Sequence, residues 1–162
     1  MTINYPAEHS PARSKVFVRN ELAMAAPADV VWAWLVRAAL WPTWYPNSSR
    51  VRIEGGTRSD LAPGARFRWK TFGVTLDSVV KEFIPPERIA WTADGLSVHV
   101  YHAWLIEPTS GGCHVLTEET QNGWLAALSH AVMPHRMYKG HAIWLERLHR
   151  QARSGFPPPP VA

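Results

Sequence analysis

The sequence predicts an α+β fold in which a curved antiparallel sheet of seven strands wraps around one long carboxyl-terminal helix, with two short helices after the first strand. Three observations lead there. Segments that alternate apolar and polar residues occur once near the start and then six times in a row, the period of strands with one wet face. A helical pattern interrupted by prolines follows the first of them. A longer apolar stripe of helical period comes near the end, where it has the sheet's apolar face to cover.

In KVFVRNELAM, Val16, Val18, Asn20, Leu22 and Met24 share one face, and Phe17, Arg19 and Glu21 the other, so Asn20 points with the apolar set. Pro27 and Asp29 open ADVVWAWLV, where Val30 and Trp34, and Val31 and Leu35, stand at i, i+4 spacing. Pro42 and Pro46 prevent smooth continuation, which makes LWPTWYPN a second brief helical turn bent against the first. Next come SSRVRIEG, ARFRWKTF, VTLDSVVKEFI, RIAWTA, SVHVYHAWLIE and CHVLTEETQN, strand patterns separated by Gly, Pro or Asp-Gly. From about Pro134, residues Met137, His141, Trp144, Leu145 and Leu148 form the helical stripe. Residues 1–14 read as a flexible leader, 15–155 as one domain and 156–162 as a proline-rich tail.

Nine tryptophans in 162 residues, with only 19% charged residues, make aromatic surface the main resource of this chain. The net charge of +4 is scattered rather than clustered, so no nucleic-acid partner is expected. Cys113 is alone and cannot form an intramolecular disulfide. It falls at a hairpin turn, where a semi-exposed thiol is expected. MTINYPAEHSPARSK has no apolar segment of the secretory type, and a cytoplasmic location follows as the default expectation. No window approaches the ~18 apolar residues of a membrane span, so membrane contact would be peripheral.

The order of elements, with PADVVWAWL before WPTWYPN, then SVVKEFIPPERIAW, then VYHAWLIEPTSGGCHVLTEETQNG, resembles the START-like or SRPBCC superfamily over roughly residues 15 to 153. The likeness is strongest to its polyketide cyclase/dehydrase and lipid-transport branch. That resemblance implies the pollen-allergen-type helix-grip fold, with a largely apolar cavity between the sheet and the last helix. It also implies that the two short helices close one side of the grip, so that Trp41, Trp44 and Tyr45 wall the cavity or its mouth. The alternative is that they plug the open edge of the sheet. The prolines make these helices the expected moving side.

The strand SVHVYHAWLIE places Val98, Val100, His102, Trp104 and Ile106 on one face. A hairpin closed around TSGG sets Glu119 opposite His102 if Ile106 faces Val115; a one-residue slip substitutes Thr120 or Glu118. In the first register His102 and Glu119 can act as an acid–base pair near neutral pH, or simply satisfy one another structurally. Asn20 and Gln121 are candidates for holding a ligand oxygen. His141 interrupts the apolar stripe and should face the sheet. Phe67, Trp69, Trp91, Trp104, Met137 and Trp144 complete the expected ligand-binding set. There is no HExxH, CxxC, phosphate-binding glycine loop or GxSxG, and the expected chemistry requires no metal or organic cofactor. The expected function is binding of a hydrophobic, ring-containing small molecule, with cyclisation or dehydration by His/Glu chemistry as its enzymatic form. The alternatives are a noncatalytic carrier or sensor of a lipid or aromatic metabolite, and a protein-interaction module.

Overall fold

The computed structural model describes residues 2–55 and 59–159. Pro160, Val161 and Ala162 of the expected tail lie outside the described residues. Seven strands form one antiparallel sheet: Val16–Met24 (β1), Ser48–Ile53 (β2), Arg66–Thr71 (β3), Val74–Ile84 (β4), Arg88–Gly95 (β5), Val98–Thr109 (β6) and Gly112–Asn122 (β7). Their spatial order is β1-β7-β6-β5-β4-β3-β2, so the first strand docks on the last and the rest is a meander of hairpins. The helices are Ala28–Val36 (α1), Trp41–Trp44 (α2), Trp124–Val132 (α3) and Arg136–Ala152 (α4). A 3₁₀ turn, Ala38–Leu40, joins α1 to α2, and Pro42 sits at the start of α2, where a missing N–H costs nothing.

Helix α4 lays His141, Trp144, Leu145 and Leu148 onto the concave face of the sheet, as the stripe predicts. Helix α3 was not expected. It follows Gly123, whose φ of 102° and close approach to the Ser97 carbonyl oxygen admit no Cβ, so the chain leaves β7 there. Pro134 then separates α3 from α4.

The aromatic residues of LWPTWYPN form a brace inside the core. Trp41 is fully buried, with ring centroids of Trp69 and Trp144 at 5.2 Å, Trp91 at 5.7 Å and Phe67 at 5.9 Å. Its Nε1 donates to the Leu35 carbonyl at 2.9 Å, which ties α2 back to α1. Tyr45 stacks on Trp144 at 4.3 Å. A buried tryptophan removes ~150–250 Å² from water, roughly 4 to 6 kcal/mol of transfer free energy, so this cluster is a principal anchor of the fold.

The leader is tied to the convex face of the sheet. The Tyr5 hydroxyl donates to Glu118 Oε2 at 2.6 Å, and the Tyr101 hydroxyl donates to the Asn4 carbonyl at 3.0 Å. Ile3 and Tyr5 also pack on Ala90, Tyr101 and Ala103. Burial beside the Glu118 carboxylate pushes the Tyr5 phenol well above its ordinary range. At the other end, the Trp34 indole donates to the Gly155 carbonyl at 2.7 Å. Cys113 is buried rather than semi-exposed, because β7 begins at Gly112 and turns its side chain into the core; burial pushes the thiol up to about 11.

Candidate functional site

The β6–β7 hairpin has the register that pairs Ile106 with Val115, and therefore His102 with Glu119. His102 Nδ1 lies 3.1 Å from Glu119 Oε2, and His102 Nε2 lies 2.8 Å from the Thr117 hydroxyl. Helix α4 brings a second imidazole to the same carboxylate, with His141 Nε2 at 3.3 Å from Oε2. The two rings lie nearly parallel, 4.8 Å apart at 13°. Gln121, two residues along β7, donates its amide to the other carboxylate oxygen at 2.5 Å. Glu119 thus stands at the centre of a buried cluster, and His102 and His141 are each only 1% exposed.

Burial disfavours charge on His102 and drives its pKa down to about 3, against the pull of Glu119 and with the help of His141. Burial alone would raise the Glu119 pKa, but His102, His141 and Gln121 outweigh it and hold the carboxyl below the usual range. The consistent arrangement at neutral pH is an ionised Glu119 accepting the Nδ1–H of a neutral His102, whose Nε2 accepts from Thr117. The Thr117 hydroxyl is also 3.3 Å from the Ala103 carbonyl. Both His102 nitrogens are therefore engaged by protein. Neither nitrogen of His141, by contrast, has a well-formed hydrogen bond among the described residues: Nε2 stands near the carboxylate at 3.3 Å and Nδ1 has no partner. The three donor atoms of His102, Glu119 and His141 lie within 4.8 Å of one another, near enough for one divalent ion to reach all three. His102 Nδ1 and the Gln121 amide lie at hydrogen-bond distance and can satisfy the carboxylate without an ion.

The cluster opens onto a cavity of about 140 Å³ walled chiefly by Trp69, Leu76, Trp91, Val98, Val100 and Trp144. Half-buried residues of its lining, among them Phe72, Leu125, Ser129, Arg136 and Met137, mark the side nearer solvent. Of the expected site residues, His102, Glu119, Gln121, Trp69, Trp91, Met137, His141 and Trp144 line this cavity. Trp41, Trp44, Tyr45, Phe67 and Trp104 do not, because they are packed into the core behind it. Asn20 is also displaced from the site. It lies on β1 beneath α4, where its amide donates to the Tyr138 carbonyl at 3.2 Å. Sequence reasoning missed Thr71, which follows Phe67 and Trp69 in strand parity, and missed Leu125, Ala126 and Ser129 together with α3.

A curved antiparallel sheet closed on a carboxyl-terminal helix, with a buried cavity between them, defines a helix-grip protein. The chain belongs to the polyketide cyclase/dehydrase and lipid transport family, whose description matches residues 16–153. Among solved structures, the hypothetical protein jhp0584 from Helicobacter pylori is 29% identical, with a TM-score of 0.87 over 94% of this chain and 97% of that one. TTHA0849 from Thermus thermophilus is 15% identical, with a TM-score of 0.71 over 86% of this chain and 98% of its own. The di-domain ARO/CYC StfQ from the steffimycin biosynthetic pathway is 18% identical, with a TM-score of 0.71 over 86% of this chain and 51% of that chain. The last two likenesses are of fold. No curated protein matches the chain. Among the described residues, no helix is long and apolar enough to cross a membrane.

Proposed function

We propose that this protein binds a hydrophobic, ring-containing small molecule in the cavity beside Glu119, and that the cluster there performs acid–base chemistry of the cyclisation or dehydration type. The observation that carries this reading is a buried carboxyl group with two imidazoles within 3.3 Å and an amide donating to it, on the wall of an otherwise largely apolar cavity. Small-molecule sites have this composition, with apolar walls and a few placed polar groups. The cavity is on the scale of the ~150 Å³ apolar cavities that take up benzene, so it holds one ring or one end of a larger molecule.

The roles follow from which atoms are free. His141 Nδ1 receives a proton from a carbon next to a ligand carbonyl, while Glu119 at Nε2 stabilises the imidazolium that forms. The new carbon–carbon bond leaves an alkoxide, which takes that proton back; loss of water from the product would complete a dehydration. His102, held between Glu119 and Thr117, positions the carboxylate.

Titration with a panel of naphthols and hydroxyanthraquinones, read by tryptophan emission and by melting temperature, tests binding. Quenching with a raised Tm is the expected result, and no change across the panel would overturn the binding claim. For a bound compound that is converted, His141→Gln should abolish conversion while leaving affinity within a fewfold. Unchanged conversion in that variant would remove the acid–base role.

A further inference from the structure

Beside the cavity lies a second depression, of about 300 Å³, which shares Thr71, Phe72 and Arg136 with it. Its character is different: Arg50, Lys70 and Arg136 are among the residues lining it, and no carboxylate lines it. The neighbouring arginines on the same sheet have acidic partners, Arg66 with Glu54 and Arg68 with Asp77, each at 3.6 Å. None of the three cations of the depression is in an ion pair among the described residues. Helix α4 begins at Arg136 with no side-chain cap and no acidic residue in its first turn, so the positive end of its dipole is left uncompensated at the same place.

The backbone around the depression is under local strain. Arg50 (φ 54°) and Phe72 (φ 48°) are non-glycine residues in the left-handed region, and the β2–β3 pairing shifts register between Ser49 and Arg52. Phe72 stands between the two spaces. Arg136 donates to its carbonyl at 2.9 Å and lies 5.4 Å from its ring centroid, and the ring packs so closely on Gly140 that no Cβ fits there.

We propose that the cavity and the depression are one bipartite site for an amphiphile, with its apolar ring among the tryptophans and a phosphate or carboxylate group on Arg50, Lys70 and Arg136, and with Phe72 as the movable partition. This rests on the binding reading above and adds the charge class of the ligand. A ligand anion would supply the counter-charge the fold omits, and charge-assisted bonds from arginine favour such oxyanions.

Isothermal titration of 2-naphthol, 2-naphthoate, 2-naphthyl phosphate and inorganic phosphate, at low and high salt, tests it. At least one anionic naphthyl compound should bind about tenfold or more tighter than 2-naphthol, the gain of one charge-assisted contact. That advantage should shrink with salt and in Lys70→Gln and Arg136→Gln, while 2-naphthol affinity stays unchanged in Lys70→Gln, because Lys70 lines the depression and not the cavity. Lys70 has no side-chain hydrogen bond or ion pair to lose among the described residues, so it guards against a folding artefact from Arg136. If the naphthyl anions bind no better than 2-naphthol, the bipartite site fails and ring binding survives. Binding of inorganic phosphate as tight as that of naphthyl phosphate would also overturn it, by showing an anion site with no gain from the cavity. If none of the compounds binds, the binding reading fails with it.

Discussion

His102 neutral in the folded protein has a measurable consequence for stability against pH. Its folded pKa, about 3, lies below the ordinary imidazole value of about 6.5. Below pH 6.5 the unfolded chain therefore takes up a proton that the folded chain refuses, and stability falls as pH falls. The contribution is fully present above pH 6.5 and is lost toward pH 3, at about 1.4 kcal/mol per pH unit, or about 2 kcal/mol between pH 7 and pH 5. Glu119, whose folded pKa is also depressed, contributes stability above the unfolded carboxyl value of about 4.3 and loses it below, outside this window.

His102→Asn keeps an amide donor near the position of Nδ1 and removes the titration. Guanidinium unfolding of both proteins at pH 8, 7, 6 and 5 would give the difference in their free energies, in which the six histidines other than His102 and its neighbour His141 largely cancel. The wild-type advantage should shrink by about 2 kcal/mol from pH 8 to pH 5. A constant difference would mean that His102 titrates in the fold as it does unfolded. An advantage that grows on acidification would refute the reasoning outright, since it would mean that the folded protein holds an imidazolium against Glu119.

Three further outcomes are expected. The Cys113 thiol should fail to react with Ellman's reagent at pH 8 until the protein is unfolded, and rapid labelling of folded protein would contradict its burial. Gly123→Ala, which forces a Cβ against the Ser97 carbonyl oxygen at positive φ, should cost about 1–3 kcal/mol in denaturant unfolding, and a neutral result would show that the β7–α3 junction adapts freely. Deleting residues 1–14 removes the Tyr5–Glu118 bond and should cost roughly 2 kcal/mol, a Tm loss of about 4–8 °C; an unchanged Tm would make the leader a passenger.

What could be read from the sequence was what depended on local period. Strand alternation and the TSGG turn together place Glu119 opposite His102, because a one-residue slip would turn the apolar set of β7 outward. The stripe of α4 likewise places His141 against the sheet. Parity assigns a face but not what covers it, and for that reason Asn20 points inward as expected yet meets a backbone carbonyl of α4 instead of the cavity. Helix α3 left no periodic mark: Leu125, Ala126 and Ser129 face the cavity while Trp124, Leu128 and Val132 are exposed, so both faces are largely apolar. The docking of the leader depends on Tyr5 meeting a strand more than a hundred positions away, for which no local pattern exists.

The same distinction decides which side of the cavity can yield. Prolines in LWPTWYPN suggest mobility, but the structure buries Trp41, Trp44 and Tyr45, and α1 before them buries seven of its nine residues. Moving that segment would tear the Trp41 ring from four aromatic neighbours and its indole from the Leu35 carbonyl. Helix α3 is also nine residues long but buries only Ala126, and it lines the cavity. Local opening follows the smaller loss of buried apolar contact. A ligand larger than the cavity would therefore be admitted by displacement of α3 and Phe72, while the tryptophan brace keeps Trp144, His141 and the Glu119 cluster in register on the opposite side.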